Sequence, residues 1–424
     1  MTPEQINIIL QTVPLVQERA YDITTIFYQN MLSAHPELNS VFNTTSQKTG
    51  HQARALAGAL CAYAANINKL DALGPMLELI CHKHASLLIE PKQYSIVGKY
   101  LIEAMGQVLG EAFTPNIQAA WTTAYWQLAK IMIEKEASLY RQSEEWTTWR
   151  DFRIANTKRE SSEITSFYLQ PVDGKSLPSF APGQYISVRM HVPDLGYAQA
   201  RQYSLSDRPN PGQYRISVKR EDGFDVKRPS MEAHPGFVSN SLDDMATVGA
   251  AAGAIVQVSH PRGDFFLPSA RATSPVVLVA AGVGLTPLLS MFNFLAENMA
   301  IVKRKVHFIH AARSSNARAF KESITKTAQD HPSIKTTFFL GNLEEDDRAG
   351  LDYNYVGRVN LELLHPEVDL YLDDRQTEYY ICGPSLFILA MRDSLLSLGV
   401  SATRIKVELF DTGGPEIDKT QANL

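Results

Sequence analysis

The hydrophobic periodicity of this 424-residue chain changes twice along its length, and that change constrains the fold more than any single motif does. To about Tyr140, apolar residues recur at spacings of three and four, the period of helices packed on a core. Pro36, Pro75, Pro91 and Pro115 fall between the periodic stretches, where a fixed φ and a missing N–H suit a first helical turn. From Trp149 the texture becomes short, β-branched and aromatic: Glu163–Leu169, Gln184–Met190, Gln202–Leu205 and Tyr214–Val218, divided by Pro and Gly turns. That pattern predicts an antiparallel barrel or sandwich. After Pro268, apolar strands at Pro275–Ala281, Val306–Ala312, Ile334–Leu340 and Tyr379–Cys382 alternate with helical stretches, which predicts βαβ units on a parallel sheet. The expected organisation is multidomain: an all-α unit over residues 1–145, an antiparallel β-barrel over 149–268 and an α/β parallel-sheet unit over 272–424.

Composition removes several function classes. Lys+Arg 40 against Asp+Glu 45 leaves a net charge of −5, without the basic surplus of a nucleic-acid binder. No apolar run approaches the roughly 18 residues of a membrane span, and the polar opening Met1–Gln5 is no secretory signal. Cys61, Cys81 and Cys382 form no disulfide framework, CxxC pair or zinc spacing, and read as packing residues. The sequence contains neither HExxH nor GxxxxGK[ST]. A cytoplasmic, monomeric protein without nucleic-acid partner or integral membrane segment is expected.

Within the helical part, Leu77, Ile80, Cys81 and His84 follow one stripe, whereas His82 shares its face with Glu78 and is expected to see solvent. Glu136 lies on the apolar stripe of Ala129, Met132 and Ile133, and Tyr94 opens the stripe continued by Val97 and Leu101. A carboxylate there is costly unless a donor meets it. Imidazole, carboxylate and phenol on three helices can satisfy one another, which is the surrounding expected of a metal-ligating histidine; the bland alternative is a satisfied core histidine. Tyr28, on the stripe of Thr24, Phe27 and Met31, and Gln52, on the face of Leu56, place a second phenol and an amide in the same helical part.

Farther along, Arg201-Gln202-Tyr203-Ser204 follows the turn Pro182–Tyr185 and offers a guanidinium for a phosphate, a ring for a flat aromatic system and a hydroxyl. Gly236–Leu242 reads as a turn into a helix, whose first amides either cradle a pyrophosphate or are capped by Ser239 and Asn240. The buried strand at Val276 runs into Gly282-Val283-Gly284-Leu285-Thr286-Pro287, a close-approach turn before a helix. Cys382-Gly383-Pro384 ends the last long strand, and Glu408-Leu409-Phe410 lies near the terminus.

On Phe27-Tyr28, His35–Leu38, Val41–Asn43, Gln52–Leu56, Lys83-His84, Tyr94–Gly98 and Lys135–Ala137, the first part resembles the bacterial globin domain of flavohaemoglobins. The ordered set R-x-Y-S, G-x-V-S, G-V-G-x-T-P, C-G-P and Glu408–Phe410 resembles the ferredoxin-reductase-like module. The resemblance implies haem b held by iron on His84, with Phe42 packed on the haem, Tyr28 donating to bound O₂ beside Gln52 and Leu56, and Tyr94 and Glu136 holding the imidazole. It places Lys83 at the haem edge, where a solvated surface lysine is the plain alternative. It implies FAD against Tyr185, Arg201, Gln202, Tyr203, Ser204, Val238, Ser239 and Phe410, with Glu408 and Leu409 near the flavin. NADH or NADPH would lie on Gly282 to Pro287 and Cys382 to Pro384. Arg313, Ser314 and Arg318 offer a site for a 2′-phosphate or are solvated surface charge. The implied activity is nitric oxide dioxygenation, converting NO and O₂ to nitrate with nicotinamide electrons passed through FAD to haem. An O₂ or NO carrier or sensor and a general flavin reductase are the rival readings. Two stretches depart from the family pattern: Phe224–Pro235, a longer loop, and Glu408–Gly414, an unusual terminal motif.

Overall fold

The computed structural model describes residues 1–143, 146–223, 235–249, 251–268, 273–299 and 304–410. The two departing stretches therefore fall largely outside the described residues: Phe224 to His234 in the first, and everything after Phe410 in the second.

Helices α1 (Pro3–Ala34), α2 (Thr44–Lys48), α3 (His51–Ala65), α4 (Gly74–Ser86), α5 (Pro91–Leu109) and α6 (Pro115–Arg141) make up the first part. The prolines act as the sequence predicts: Pro75, Pro91 and Pro115 occupy the first turns of α4, α5 and α6, and Pro36 opens a short 3₁₀ turn at Pro36–Ser40. Helix α1 also carries Pro14 in its interior and starts with a capping box between Thr2 and Gln5. One apolar core joins these helices, with Phe27, Met31, Tyr63, Trp121 and Met132 buried in it.

Strands β1 (Arg150–Arg159), β2 (Ile164–Pro171), β3 (Tyr185–Val192), β4 (Tyr197–Ser204), β5 (Tyr214–Lys219) and β6 (Ile255–Val258) form an antiparallel six-stranded sheet in the order β4-β3-β6-β1-β2-β5. Its two end strands approach through an isolated bridge between Leu205 and Ile216 and the bond from Ser206 N to Arg215 O. Helix α7 (Phe237–Thr247) lies between β5 and β6 in sequence, and its Val238 and Leu242 sit in the core of this sheet.

Strands β7 (Val276–Ala281), β8 (Val306–Ala312), β9 (Ile334–Leu340), β10 (Tyr355–Val356), β11 (Glu378–Cys382) and β12 (Ile405–Glu408) form a parallel sheet ordered β10-β9-β8-β7-β11-β12. Helices α8 (Leu285–Glu297), α9 (Lys321–Asp330) and α10 (Ser385–Ser397) connect them. The four longer strands match the sequence expectation closely because each is short, mostly apolar or aromatic and largely buried, β7 without a polar residue and β9 with only Lys335 exposed. Strand order reverses at β7, which leaves a crevice between β7 and β11 at their carboxyl ends. No helix among the described residues is long and apolar enough to cross a membrane.

Candidate functional site

The most organised polar cluster of the helical part joins α4, α5 and α6. His84 Nδ1 lies 2.8 Å from Glu136 Oε1, and the Tyr94 hydroxyl donates to the same oxygen at 2.5 Å. Glu136 is 2% exposed on the apolar stripe of α6, so these donors are what makes its burial tolerable. Burial and the neighbouring carboxylate push the Tyr94 phenol far up, and it stays a donor. Tyr125 donates to the Tyr94 carbonyl at 2.5 Å and fixes that turn of α5. With Nδ1–H committed to a carboxylate, the lone pair of His84 lies on Nε2.

His82 corrects the sequence expectation. It does share its face with Glu78, with Nε2 3.3 Å from Glu78 Oε1. Its side chain is nevertheless only 12% exposed, against 32% for His84. The cause is a segment 181 residues away: the Gly263 N–H donates to His82 Nδ1 at 3.1 Å. Of the two imidazoles, the antiparallel sheet's turn covers His82 and leaves His84 the more open.

A second group forms around Tyr28, whose ring lies 5.5 Å from Phe42, edge to face. Burial pushes the Tyr28 hydroxyl up and a hydrogen bond with Gln52 opposes this. Gln52 in turn accepts from Gln47 at 2.8 Å. Leu56 packs against the same core. Among the described residues no group of three or more His, Cys, Asp or Glu side chains is placed to hold a metal ion. A lone imidazole with an anchored Nδ1 fits an iron whose remaining ligands come from a macrocycle, and does not fit a protein-only metal centre.

In the antiparallel part, Arg201 donates to Asn43 Oδ1 at 2.7 Å and to Gln199 Oε1 at 3.0 Å. Tyr185 is buried against the neighbouring Ser86, the last residue of α4, and burial pushes its phenol well up. Ser86 itself was not legible as a site residue: its hydroxyl accepts from Ser187 at 2.9 Å and from Gln202 at 3.3 Å, tying α4 to β3 and β4. Tyr203 is buried enough that its phenol is pushed up, and Ser204 is buried at the end of β4. Helix α7 opens at Phe237 without a side-chain cap, since Ser239 turns back to the Gly236 carbonyl at 3.1 Å. Among the described residues no side chain caps its first amides, an arrangement that fits a pyrophosphate. Val238 is a core residue of the sheet, so its side chain faces inward.

At the carboxyl edge of the parallel sheet, Gly282 has φ 54° and nothing within 4 Å of where a Cβ would stand, so the turn faces open space. Gly284 is the opposite case: a Cβ there would meet the Cys382 carbonyl at 2.4 Å, which brings the turn and Cys382-Gly383 together. Val283 and Leu285 pack into the core, the buried Thr286 hydroxyl donates to the Val283 carbonyl at 3.0 Å, and Pro287 is buried in α8. Pro384 stands immediately before α10. This is the geometry that lets a dinucleotide backbone approach at the crevice. Arg318 departs from the surface-charge reading: it is 2% exposed and lies 3.9 Å over the Phe338 ring. Arg313 is exposed and pairs with Glu163.

Glu408 ends β12 beside Lys83 and Asp264, while Leu409 packs on the α/β core and Phe410 is exposed. Burial, then Asp264, push the Glu408 carboxyl up to about 8, with Lys83 opposing. A carboxyl whose folded pKa is raised stabilises the fold fully below its ordinary range, and that contribution is lost as pH rises through the folded value. Glu408→Gln is neutral throughout, so melting profiles should show the wild-type chain losing stability relative to the variant as pH rises from about 4.5 to about 8, with no further loss above that. A constant difference across that window would show Glu408 to be ionised already.

Residues 25–132 match the globin family and residues 278–393 match the oxidoreductase NAD-binding domain family. The chain is 42% identical to the flavohemoprotein of Bordetella parapertussis over 419 residues, covering 98% of this chain and 99% of that one. It is 40% identical to the flavohemoprotein of Bacillus subtilis over 421 residues, with 98% of both covered. Among solved structures, the flavohemoglobin of Malassezia yamatoensis with bound FAD and heme superposes with TM-score 0.79 at 29% identity, over 96% of this chain and 99% of that one. The FAD/NAD-binding domain of nitric oxide dioxygenase from Vibrio cholerae matches with TM-score 0.51 at 32% identity, over 61% of this chain and 97% of that one. A globin helical core, an antiparallel sheet and a parallel nucleotide-binding sheet in this order, with near-complete coverage of the relatives, place the chain in the flavohaemoprotein family.

Proposed function

We propose that this chain is a cytoplasmic nitric oxide dioxygenase, with a globin unit at 1–145, an FAD unit at 149–268 and a nicotinamide-dinucleotide unit at 272–424. The observation that carries the reading is the His84–Glu136–Tyr94 cluster in a chain that also holds a complete reductase fold. A histidine that merely filled a core would not need a buried carboxylate on its Nδ1. The pair gives the imidazole imidazolate character and makes it a stronger electron donor, a property that serves O₂ chemistry more than O₂ storage.

When bound, haem supplies the O₂-binding iron, FAD the step between two-electron and one-electron transfer, and NADH or NADPH the hydride. The protein's part is positioning and proton placement. Glu136 accepts from the His84 Nδ1–H and so keeps that proton on Nδ1, and Tyr94 donates to the same oxygen so the carboxylate stays in place. Tyr28 keeps its phenolic proton by burial and would be the donor to a ligand bound on haem, with Gln52, Leu56 and Phe42 beside it. Arg201, Gln202, Tyr203, Ser204, Tyr185 and the α7 amides of Val238 and Ser239 hold FAD. The Gly282 to Pro287 turn and Cys382 to Pro384 hold the nicotinamide dinucleotide, and Lys83 and Glu408–Phe410 border the flavin edge.

The reaction balances as NO plus O₂ plus one electron giving nitrate, so each NADH or NADPH supports two NO. A nitric oxide electrode read alongside nicotinamide absorbance should show consumption that needs both O₂ and the nicotinamide, in that ratio. NO binding without turnover would make the chain a carrier or sensor.

A further inference from the structure

Gln199 lies on β4, two residues before Arg201, and is 0% exposed. Its amide crosses to the corner of the helical part that carries Phe42. Nε2 donates to the Asn39 carbonyl at 2.5 Å and to the Phe42 carbonyl at 3.1 Å. Its Oε1 accepts from Thr44 N–H at 3.2 Å and from Arg201 Nη1 at 3.0 Å. A primary amide offers two donors and an oxygen with two lone pairs, so this side chain is saturated. Three of its four bonds reach backbone 155 to 160 residues away. Replacing it with an apolar residue leaves two half-buried carbonyls and an amide without this partner, the costly way to lose a hydrogen bond.

Arg201 links the same node to the flavin site. Its Nη1 donates to Gln199 and to the Ala200 carbonyl, and its Nη2 donates to Asn43. Of five guanidinium N–H groups, the Nε–H and one Nη2–H have no partner among the described residues, which leaves donors for a phosphate. A phosphate seated there fixes the plane of the guanidinium, which is the plane that Gln199 and Asn43 read.

We infer that Gln199 is a positioning residue that couples the flavin site to the Phe42 wall of the haem pocket, through one hydrogen-bonded node shared with Arg201. The inference rests on the reading of Phe42 and Arg201 as haem-side and FAD-side residues. Linkage requires the coupling to be reciprocal: FAD must slow haem loss by the factor by which haem tightens FAD.

The test uses the full-length protein loaded with haem, with FAD either saturating or removed by dialysis, mixed with an excess of a haem scavenger. Saturating FAD should slow haem transfer about fivefold or more in the wild-type chain, the low end of ordinary coupling. In Gln199→Leu the FAD effect should fall to nothing while haem loss itself quickens. Gln199→Glu covers the case in which the leucine variant does not fold. It keeps the shape and both accepted bonds but sets a carboxylate oxygen against the two carbonyls, and should lose most of the FAD effect. Hydrogen exchange at the Thr44 amide should rise in Gln199→Leu and stay slow in Tyr197→Phe, which removes only the neighbouring contact to the Thr44 hydroxyl. Haem transfer equally sensitive to FAD in wild type and variants, or insensitive in all, overturns the coupling alone. A full-length chain that takes up no haem or no FAD overturns the functional reading as well.

Discussion

His84→Ala should strip the full-length protein of stable haem while leaving reduction of FAD by NADH or NADPH intact. Glu136 and Tyr94 hold the imidazole from behind, and no other imidazole on that face can replace it. The loss should exceed the roughly 10–100-fold cost of removing an outer partner of a ligand, which is the effect expected of Glu136→Gln. His82→Ala is the control that separates the two histidines. Its Nδ1 is already the acceptor for Gly263 N–H and its Nε2 faces Glu78, so haem content should survive its removal. A Soret absorbance titration against flavin absorbance reads both sites at once. Normal haem in His84→Ala with loss in His82→Ala would reverse the assignment of the ligand.

Tyr28→Phe should speed the release of O₂ from the reduced protein by about one to two orders of magnitude, the weight of a hydrogen bond to a charged acceptor at roughly 1.5–3 kcal/mol. Burial keeps the Tyr28 phenol protonated across the accessible pH range, so the difference between the two proteins should not titrate. Phenylalanine keeps the ring that meets Phe27 and Phe42 edge to face, so the fold should tolerate it. Glu136→Gln acts from the opposite side. It should alter O₂ release less and slow haem reduction more, because the His84 imidazole that would ligate the iron then donates less charge. Stopped-flow O₂ displacement on the two variants separates these effects. Equal, wild-type release from both, accompanied only by lower melting temperatures, would reduce Tyr28 and Glu136 to packing residues.

Much of this was legible in the sequence because it is encoded locally. Strands β7, β8, β9 and β11 are short, mostly apolar stretches separated by helical ones, and they pair in parallel as that alternation implies. His84, Glu136 and Tyr94 stood out because each is polar on an apolar stripe, and the three stripes do converge. Strand β1 was harder: only Phe152 and Ile154 are buried among exposed arginine, lysine and aspartate, so its period-two signal is thin. What stayed hidden is whatever depends on the contact between the helical part and the antiparallel sheet. His82 looked solvated because nothing in α4 announces that the turn at Gly263 will cover it. Ser86 and Gln199 are ordinary polar residues in sequence, and become fully buried only when segments more than a hundred residues apart meet. Arg318 looked like surface charge for a different reason: the Phe338 ring beneath it comes from the next strand of its own sheet.

Dioxygenation consumes one molecule of O₂ whole for each NO. The most direct measurement supplies the full-length, haem- and FAD-loaded protein with NADH, NO and isotopically heavy O₂, and weighs the nitrate formed. Dioxygenation predicts nitrate carrying two heavy oxygen atoms, with two nitrates per nicotinamide oxidised. Nitrate with one heavy atom or none, or nitrous oxide as the main product, would contradict it.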